Sequence, residues 1–244
     1  MTSNEARAKA ADAPVAIVTA AGRGIGAGIA RELAGRGWRV AVMSPSGAAQ
    51  AVAAEIGGLS VVGSVTEPDD IERLVAATVE RWGRVDAVVN NTGHPPKGDL
   101  VGLSDETWRH GFDLVVLSVT RLARLTTPLM LKRGRGAIVT ISSFTARAPD
   151  LAMPVSSTLR AALGAWTRLY AERYAEHGIR ANAILPGFVD SYPLDEARRA
   201  AIPAGRYATV AEVARTAAFL VSDESSYITG QSLLVDGGLV RASA

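Results

Sequence analysis

Short β-branched runs alternate with longer amphipathic segments through almost the whole chain. The strand-like runs are residues 15–19, 39–43, 59–63, 87–90, 137–142, 180–185 and 232–235. The helix-like segments between them are residues 24–36, 47–56, 68–82, 104–132, 155–176 and 209–222. Continuous apolar runs suit strands that are buried on both faces, as in a parallel sheet covered by helices. The pattern therefore predicts an α/β fold, a single doubly wound parallel sheet of about seven strands with helices on both faces.

The chain is predicted to form one domain, because no linker, composition break or low-complexity stretch interrupts the alternation. This domain spans residues 14–244, and residues 1–13, which are polar and rich in alanine, are predicted to form a flexible tail rather than a signal peptide. The longest apolar runs are strand-sized, so we expect no membrane span and a cytoplasmic location.

Charge and cysteine content exclude several classes of function. The 26 Lys and Arg residues against 24 Asp and Glu leave a net charge of +2, which is too small to suggest a nucleic-acid surface. The chain has no cysteine, which excludes disulfides, thiolate metal sites and thiol nucleophiles. We expect no metal site and no nucleic-acid partner.

A glycine-rich loop follows the first strand-like run and leads directly into a helix. Its sequence is Thr19-Ala20-Ala21-Gly22-Arg23-Gly24-Ile25-Gly26. Glycines permit a tight turn and let backbone N–H groups approach a pyrophosphate at the helix N-terminus. Three glycines alone also fit an ordinary turn, but their place between a strand and a helix favours a dinucleotide site.

Sites for NAD place a carboxylate about 20 residues after the glycine loop, behind the second strand. This chain has no carboxylate at that place. The sequence there is Met43-Ser44-Pro45-Ser46. No like charge would repel a 2′-phosphate, and Arg23, Ser44 and Ser46 could bind it, so we expect NADP, with NAD as the less favoured cofactor. The alternative is a turn whose serines only cap the next helix.

Several motifs in order resemble the short-chain dehydrogenase/reductase family, in particular the ketoreductases that act on acyl carrier proteins. These motifs are the glycine loop, Asn90-Asn91-Thr92-Gly93, residues 138–143, residues 186–189, and residues 227–231 with 235–238. The resemblance covers nearly the full length of the chain. It implies a Rossmann-type fold and a nicotinamide cofactor.

The resemblance also implies a set of cofactor-binding positions. The set is Gly22, Arg23, Gly24, Ile25, Gly26, Ser44, Ser64, Val65, Asn91, Gly93, Arg160, Gly187, Val189 and Ser191. By the resemblance, Ser64 and Val65 lie beside the adenine and Asn91 and Gly93 beside the adenosine ribose. Gly187, Val189 and Ser191 face the nicotinamide amide. Ser64 and Ser191 are explained equally well as ordinary loop hydroxyls.

The family's hydride transfer, as the resemblance implies it, relies on an Asn, a Ser, a Tyr and a Lys. The Tyr follows the Ser by thirteen residues, and the Lys follows the Tyr by four. Counted from Ser143, these positions hold Ser156 and Arg160, while the Asn position holds Val115. Of the candidate catalytic residues Ser143, Ser156 and Arg160, only Ser143 keeps the family residue.

These replacements predict a site without the family's acid–base group. A serine hydroxyl is shorter than a phenol and too weak an acid near neutral pH, whereas a tyrosine starts from a pKa of ~10. Arg160 keeps a positive charge and could bind ribose hydroxyls, but its planar fork places donors differently from a lysine. The Val115 side chain cannot hold a water molecule.

Other residues could take over proton transfer. His94 follows the Asn90–Gly93 motif and has a suitable ordinary pKa, although a solvent-exposed loop histidine is the simpler interpretation. Tyr192 lies in a segment that forms a mobile substrate lid in this family, and a surface aromatic is again the simpler interpretation. Tyr170 and Tyr174 are expected to lie far from the chemistry.

Three functions are consistent with the sequence, and all three assume a family member that lacks most of this Asn-Ser-Tyr-Lys tetrad, that is, a tetrad-deficient member. In the first, the chain is a subunit of a homo- or hetero-tetramer with a relative that retains the Tyr and Lys. The chain then resembles the tetrad-deficient subunit of the reductase pair in aminocoumarin (novobiocin-type) antibiotic pathways. That resemblance implies an NADP-dependent interconversion of a β-hydroxyl and a β-ketone on an acyl or aminoacyl group, carried by a carrier protein or as a thioester.

The alternatives are a stand-alone oxidoreductase with a remodelled site and a non-catalytic NADP-binding sensor. The partner-subunit hypothesis draws on an apolar stripe along the segment 155–176, which includes Leu159, Trp166 and Leu169. The stripe also fits a helix that simply faces the core.

Overall fold

Between residues 12 and 241, seven strands pair in parallel, in the order β3-β2-β1-β4-β5-β6-β7. The structure is a computed structural model that describes residues 12–241, so residues 1–11 of the predicted tail lie outside it. The strands are β1 (Val15–Val18), β2 (Arg39–Ser44), β3 (Leu59–Val62), β4 (Ala87–Asn90), β5 (Gly136–Ile141), β6 (Ile179–Pro186) and β7 (Ser232–Val235). The predicted fold class is confirmed, and each strand lies within one residue of its predicted bounds.

Helices connect successive strands and cover both faces of the sheet. They are α1 (Gly24–Gly35), α2 (Ala48–Ile56), α3 (Pro68–Trp82), α4 (Asp105–Phe112), α5 (Ser118–Arg133), α6 (Pro154–Tyr174), α7 (Glu196–Ala201) and α8 (Val210–Val221). Helices α1, α2 and α8 build the core on one face, and α3, α5 and α6 build the core on the other. Alternate strand residues supply the two cores, so Val89 faces the first and Val88 the second.

The segment predicted as one helix over residues 104–132 is divided in the structure. A π-helical turn, Asp113–Leu117, separates α4 from α5. The expectation of an uninterrupted helix is therefore wrong, because hydrophobic periodicity does not reveal a single widened turn. Such turns are rare and often occur at functional sites. This one carries Val115 into the protein interior, where the side chain is 1% exposed.

The same stretch, Asp105–Arg133, is long and apolar enough by length and composition to cross a membrane. The expectation of no membrane span rests on uninterrupted apolar runs, which this stretch lacks. Half of its most apolar window is buried inside the fold. A helix packed on the core of a protein passes the same test of length and composition.

The order of the strands places a crevice beside β1. Strand β1 lies between β2 and β4, so the chain leaves β1 toward one side of the sheet and later returns on the other. In open parallel sheets, ligands bind at such a switch point, outside the carboxyl ends of the strands. The loops that follow β1, β4, β5 and β6 all lie at this edge.

Candidate active site

The loops after β1 and β4 are tied together by hydrogen bonds at the crevice. The Thr19 hydroxyl donates to the Asn91 carbonyl at 2.7 Å and accepts from the Asn91 N–H at 2.9 Å. The Asn91 side-chain amide donates to the Ala20 carbonyl at 3.2 Å. Asn91 thus has a structural role in holding the glycine loop, beside the ribose role that the resemblance implies. Gly93, two residues on, is exposed.

The glycine loop is closely packed and leaves a helix N-terminus open. Ala20 has a φ of 46° and is the one non-glycine residue with positive φ between residues 12 and 241. A Cβ on Gly26 would lie 2.5 Å from the Ala20 carbonyl oxygen and 2.7 Å from Asn91 Nδ2. Arg23, at the start of α1, makes no side-chain cap. The first N–H groups of α1 are therefore free to bind an anion, which fits the pyrophosphate of a dinucleotide.

Ser44 does not present a free hydroxyl to the crevice. It is buried, and its Oγ accepts a hydrogen bond from the Ala49 N–H at 3.1 Å in the first turn of α2. For Ser44, the alternative in which a serine caps the next helix therefore fits the geometry better than phosphate binding. Arg23 and Ser46, by contrast, are exposed.

Ser64 belongs to a local turn at the start of α3. Its hydroxyl is 2.7 Å from the Thr66 hydroxyl, and its N–H donates to Asp70 Oδ2 at 2.7 Å. This N–H, together with Arg73, holds the pKa of the Asp70 carboxyl below its ordinary value. The geometry fits an ordinary loop hydroxyl for Ser64, and Val65 beside it is buried.

The segment after β6 lies against the glycine loop. A Cβ on Gly24 would be 3.3 Å from the Cβ of Ser191, which is exposed. Val189 is buried and pairs with Ala208, while the Gly187 N–H donates to the Val235 carbonyl at 3.1 Å. The structure therefore brings the predicted pyrophosphate loop and the predicted nicotinamide-facing segment to the same crevice.

Ser143 and Ser156 are joined through a residue that the sequence argument did not single out. The Thr145 hydroxyl donates to Ser143 Oγ at 3.0 Å and lies 3.3 Å from Ser156 Oγ. The Thr145 N–H also donates to Ser143 Oγ at 3.2 Å. Thr145 escaped notice because the motif spacing concerns only the family's four positions. The three hydroxyls are all alcohols, and none is an acid of useful strength near pH 7.

Arg160 lies on the same side of α6 as Ser156, with its guanidinium inside the protein. Its Nη1 donates to the Ile141 carbonyl at 2.7 Å, and its Nη2 lies 3.4 Å from the Thr92 hydroxyl. Burial lowers the pKa of Arg160 to about 10, so the group stays charged at pH 7. Nη1 is therefore committed to the backbone, while Nη2 lies beside the Asn90–Gly93 motif.

Val115 packs in a small apolar cluster with Val119 and Leu163, between the helices that cover this face. The structure therefore places a dry contact where the resemblance implies an asparagine that supports a water molecule. Val115 can neither donate nor accept a hydrogen bond.

His94 and Tyr192 meet across the mouth of the crevice, although 98 residues separate them. The Tyr192 hydroxyl and His94 Nε2 are hydrogen-bond partners, and the rings form an edge contact with centroids 4.7 Å apart. Partial burial, followed by the charges of Arg160, Lys97 and Arg23, lowers the pKa of His94. A neutral imidazole at pH 7 can accept the phenol proton. The expectation that Tyr192 is only a surface aromatic is therefore incomplete.

Tyr170 and Tyr174 lie in the second core, as expected, and take no part in the crevice. The Tyr170 hydroxyl is 2.6 Å from the Thr127 hydroxyl, and burial raises the pKa of Tyr170 to about 12. Tyr174 packs against the Tyr170 ring at 4.6 Å between centroids. Within residues 12–241, no group of three or more His, Asp or Glu side chains is placed to hold a metal ion.

Comparison with known proteins assigns the chain to a family. Residues 19–240 match the family model described as enoyl-(acyl carrier protein) reductase. The 3-oxoacyl-[acyl-carrier-protein] reductase FabG of Escherichia coli is 35% identical over 235 residues, covering 92% of this chain and 96% of the relative. Oxidoreductase UcpA of Salmonella typhimurium is 35% identical over 245 residues, covering 91% and 93%.

A solved structure, that of the TT0495 protein from Thermus thermophilus, superposes with a TM-score of 0.85. It is 34% identical and covers 93% of this chain and 98% of its own. The chain belongs to the short-chain dehydrogenase/reductase family of oxidoreductases.

Proposed function

We propose that the chain is an NADP-binding subunit of a heteromeric reductase. In the proposed complex, a relative that retains the Tyr and Lys supplies the acid–base pair in its own crevice. The reaction is the interconversion of a β-hydroxyl and a β-ketone on a carrier-tethered acyl or aminoacyl group, and antibiotic biosynthesis is its proposed setting. The observation that carries the proposal is the pair Ser156 and Arg160, which leaves no phenol beside Ser143.

The crevice residues fit a dinucleotide. The space beside Gly26 is already filled by the Ala20 carbonyl and Asn91, which holds the loop tightly at the open N-terminus of α1. Arg23 and Ser46 are exposed, and no acid stands between Met43 and Gly47 to repel a 2′-phosphate. These features support NADP over NAD. The nicotinamide, when bound, supplies or accepts a hydride.

The residues around Ser143 can orient a substrate but offer no acid of suitable strength to protonate it. Ser143 can donate a hydrogen bond to a carbonyl oxygen, since its hydroxyl accepts from Thr145 and leaves its own proton free. Arg160 stays charged at pH 7, and Thr145 and Ser156 offer only alcohols. The missing step is therefore a proton transfer, which supports a division of labour with a second chain.

The face formed by α5 and α6 supports an oligomer. An apolar groove between the two helices is lined by Thr127, Leu131, Trp166, Leu169 and Tyr174. Leu169 is 66% exposed, so the stripe predicted on this helix is only partly absorbed by the core. Exposed apolar surface of this kind is typical of a protein interface. This observation supports a homo- or hetero-tetramer in which α5 and α6 meet their counterparts.

The proposal is tested by purifying the chain alone and together with a Tyr- and Lys-retaining relative from the same organism. Consumption of NADPH is followed with a β-keto thioester as substrate. We expect no steady turnover by the chain alone and faster turnover by the pair than by the relative alone. Equal rates for the pair and the relative alone, with no complex on size-exclusion chromatography, would refute the subunit assignment.

A second candidate, a stand-alone enzyme with a remodelled site, is favoured by the contact between His94 and Tyr192. These side chains give the crevice a phenol and an imidazole that can exchange a proton. If the isolated chain does turn over, the Tyr192→Phe variant distinguishes the source of the proton. Loss of at least tenfold in kcat would assign the step to Tyr192, and an unchanged kcat would exclude it.

A further inference from the structure

In the part of the chain that the structure describes, four buried polar side chains have an atom without a hydrogen-bond partner. These atoms are Asn90 Nδ2, Thr140 Oγ1, Ser142 Oγ and Arg160 Nε. Each of the four residues is at least nine-tenths buried. Buried polar groups are nearly always paired, so four such atoms call for a partner, either a water molecule or an ion. We call these four residues the buried donor cluster.

The strand register brings the cluster together on one face of the sheet. Asn90 and Thr140 are paired across β4 and β5, and both lie on the face covered by α6, as do Val88 and Ile138 two residues earlier. Ser142 follows Thr140 by two residues and shares that face. The Arg160 side chain extends from α6 to the same end of β5. Its Nη1 donates to the carbonyl of Ile141, the residue between Thr140 and Ser142.

The chemistry of the cluster is one-sided. Asn90 Nδ2 and Arg160 Nε can only donate, and the hydroxyls of Thr140 and Ser142 can donate as well. Within residues 12–241, no Asp or Glu forms an ion pair with Arg160, although the guanidinium is buried. A buried charge without a countercharge is costly, and a water molecule cannot supply one.

We propose that the buried donor cluster binds a small monovalent anion of the halide type, such as chloride. The anion accepts hydrogen bonds from the amide, the guanidinium and the hydroxyls and neutralises the charge of Arg160. Arg160 links the site to the crevice, because its Nη2 lies 3.4 Å from the Thr92 hydroxyl. The site does not depend on whether the chain itself catalyses a reaction.

The direct test measures thermal unfolding of the full chain at constant ionic strength while sodium bromide replaces sodium gluconate. We expect a saturable rise of the melting temperature with bromide. The Arg160→Met variant should lose this rise. Arg168→Met, which alters an exposed arginine two turns along α6, should keep it. No saturable rise in the parent chain, or an equal rise in Arg160→Met, would overturn the proposal.

A second variant and a crystal structure keep the test conclusive if Arg160→Met does not fold. Ser142→Ala removes one donor without touching the charge and should weaken bromide binding at least threefold. In crystals grown with bromide, the anomalous signal should lie within hydrogen-bonding distance of Arg160 Nε. Density without an anomalous signal at this place, or unchanged bromide affinity in Ser142→Ala, would show that the cluster binds only water.

Discussion

Close packing in the glycine loop explains why position 26 holds a glycine. Gly26 has backbone and side-chain atoms on the side where a Cβ would stand, whereas Gly35, at the other end of the same helix, has nothing within 4 Å. Both glycines lie in α1 and neither has a positive φ. They therefore form a matched pair for testing the role of the loop.

We expect the Gly26→Ala variant to lose ~1–3 kcal/mol of stability, because the new methyl group must displace the Ala20 carbonyl. Binding of NADPH should weaken in parallel, since the displaced loop forms the open end of α1. Urea unfolding and NADPH fluorescence measure the two effects. Gly35→Ala should be neutral or slightly stabilising. Equal behaviour of both variants would refute the close approach at Gly26.

The missing acid–base pair can be restored at positions 156 and 160. Restoring a phenol and a lysine with Ser156→Tyr and Arg160→Lys together should create measurable NADPH-dependent reduction of a β-keto thioester. The reason is that both positions lie on one side of α6, and Ser156 is already linked to Ser143 through Thr145. Arg160→Lys alone is the control and should remain inactive. An inactive double variant that still binds NADPH would mean that the pocket has diverged as well.

At the scale of elements, the start of α8 is fixed by a capping box. The Thr209 side chain accepts from the Glu212 N–H, and the Glu212 carboxylate accepts from the Thr209 N–H at 2.8 Å. The carboxylate also pairs with Arg206 at 2.7 Å. Arg206 and, after it, the Thr209 N–H lower the pKa of Glu212 to about 2. Helix α8 packs in the core beside α1, so this cap supports the wall of the crevice.

The pH dependence of stability follows from the direction of this pKa shift. A carboxyl whose folded pKa lies below its unfolded value, ~4.3, stabilises the fold above that pH. The contribution is lost as the pH falls toward about 2. We expect Glu212→Gln to flatten the loss of melting temperature between these pH values, since Gln can still cap the helix. Glu224→Gln, at an exposed glutamate, is the control, and an identical profile for both variants would contradict the assignment.

The sequence predicts regular elements well where burial alone determines them. The predicted strand bounds agree with the structure to within one residue because each strand is mostly apolar. Burial is complete in the central strands β1 and β4 and only partial in the edge strands β3 and β7. The π-helical turn at Asp113–Leu117 was not predictable, because Val115 keeps the hydrophobic pattern of an ordinary helix. Likewise, the role of Thr145 depends on how the loop after β5 folds back on α6.

At the scale of the whole molecule, the crevice depends on contacts that no local pattern contains. His94 and Tyr192 meet only because the loops after β4 and β6 reach the same edge of the sheet. Arg160 and Ile141 meet because α6 crosses the end of β5. Motif spacing identified most of the candidate positions, but the partners of Ser44, Ser64 and Arg160 required the fold.

The groove between α5 and α6 yields a prediction about assembly. The Leu169→Arg variant places a charge in the groove and should reduce the oligomer to a smaller species without changing the melting temperature by more than a few degrees. Size-exclusion chromatography with light scattering measures the mass. Leu151→Arg, at another exposed leucine, is the control and should leave the mass unchanged. An unaltered mass for Leu169→Arg would place the interface elsewhere.

Whether the site lacks a proton donor is tested by a single-turnover experiment with the isolated chain in excess over NADPH. A β-keto thioester is added, and the absorbance of the bound nicotinamide is followed for many minutes. We expect NADPH to bind, as shown by its fluorescence, and to stay reduced, because Ser143, Thr145 and Ser156 provide no acid of suitable strength. Oxidation of the bound NADPH by the chain alone would contradict the claim that its centre lacks a proton donor.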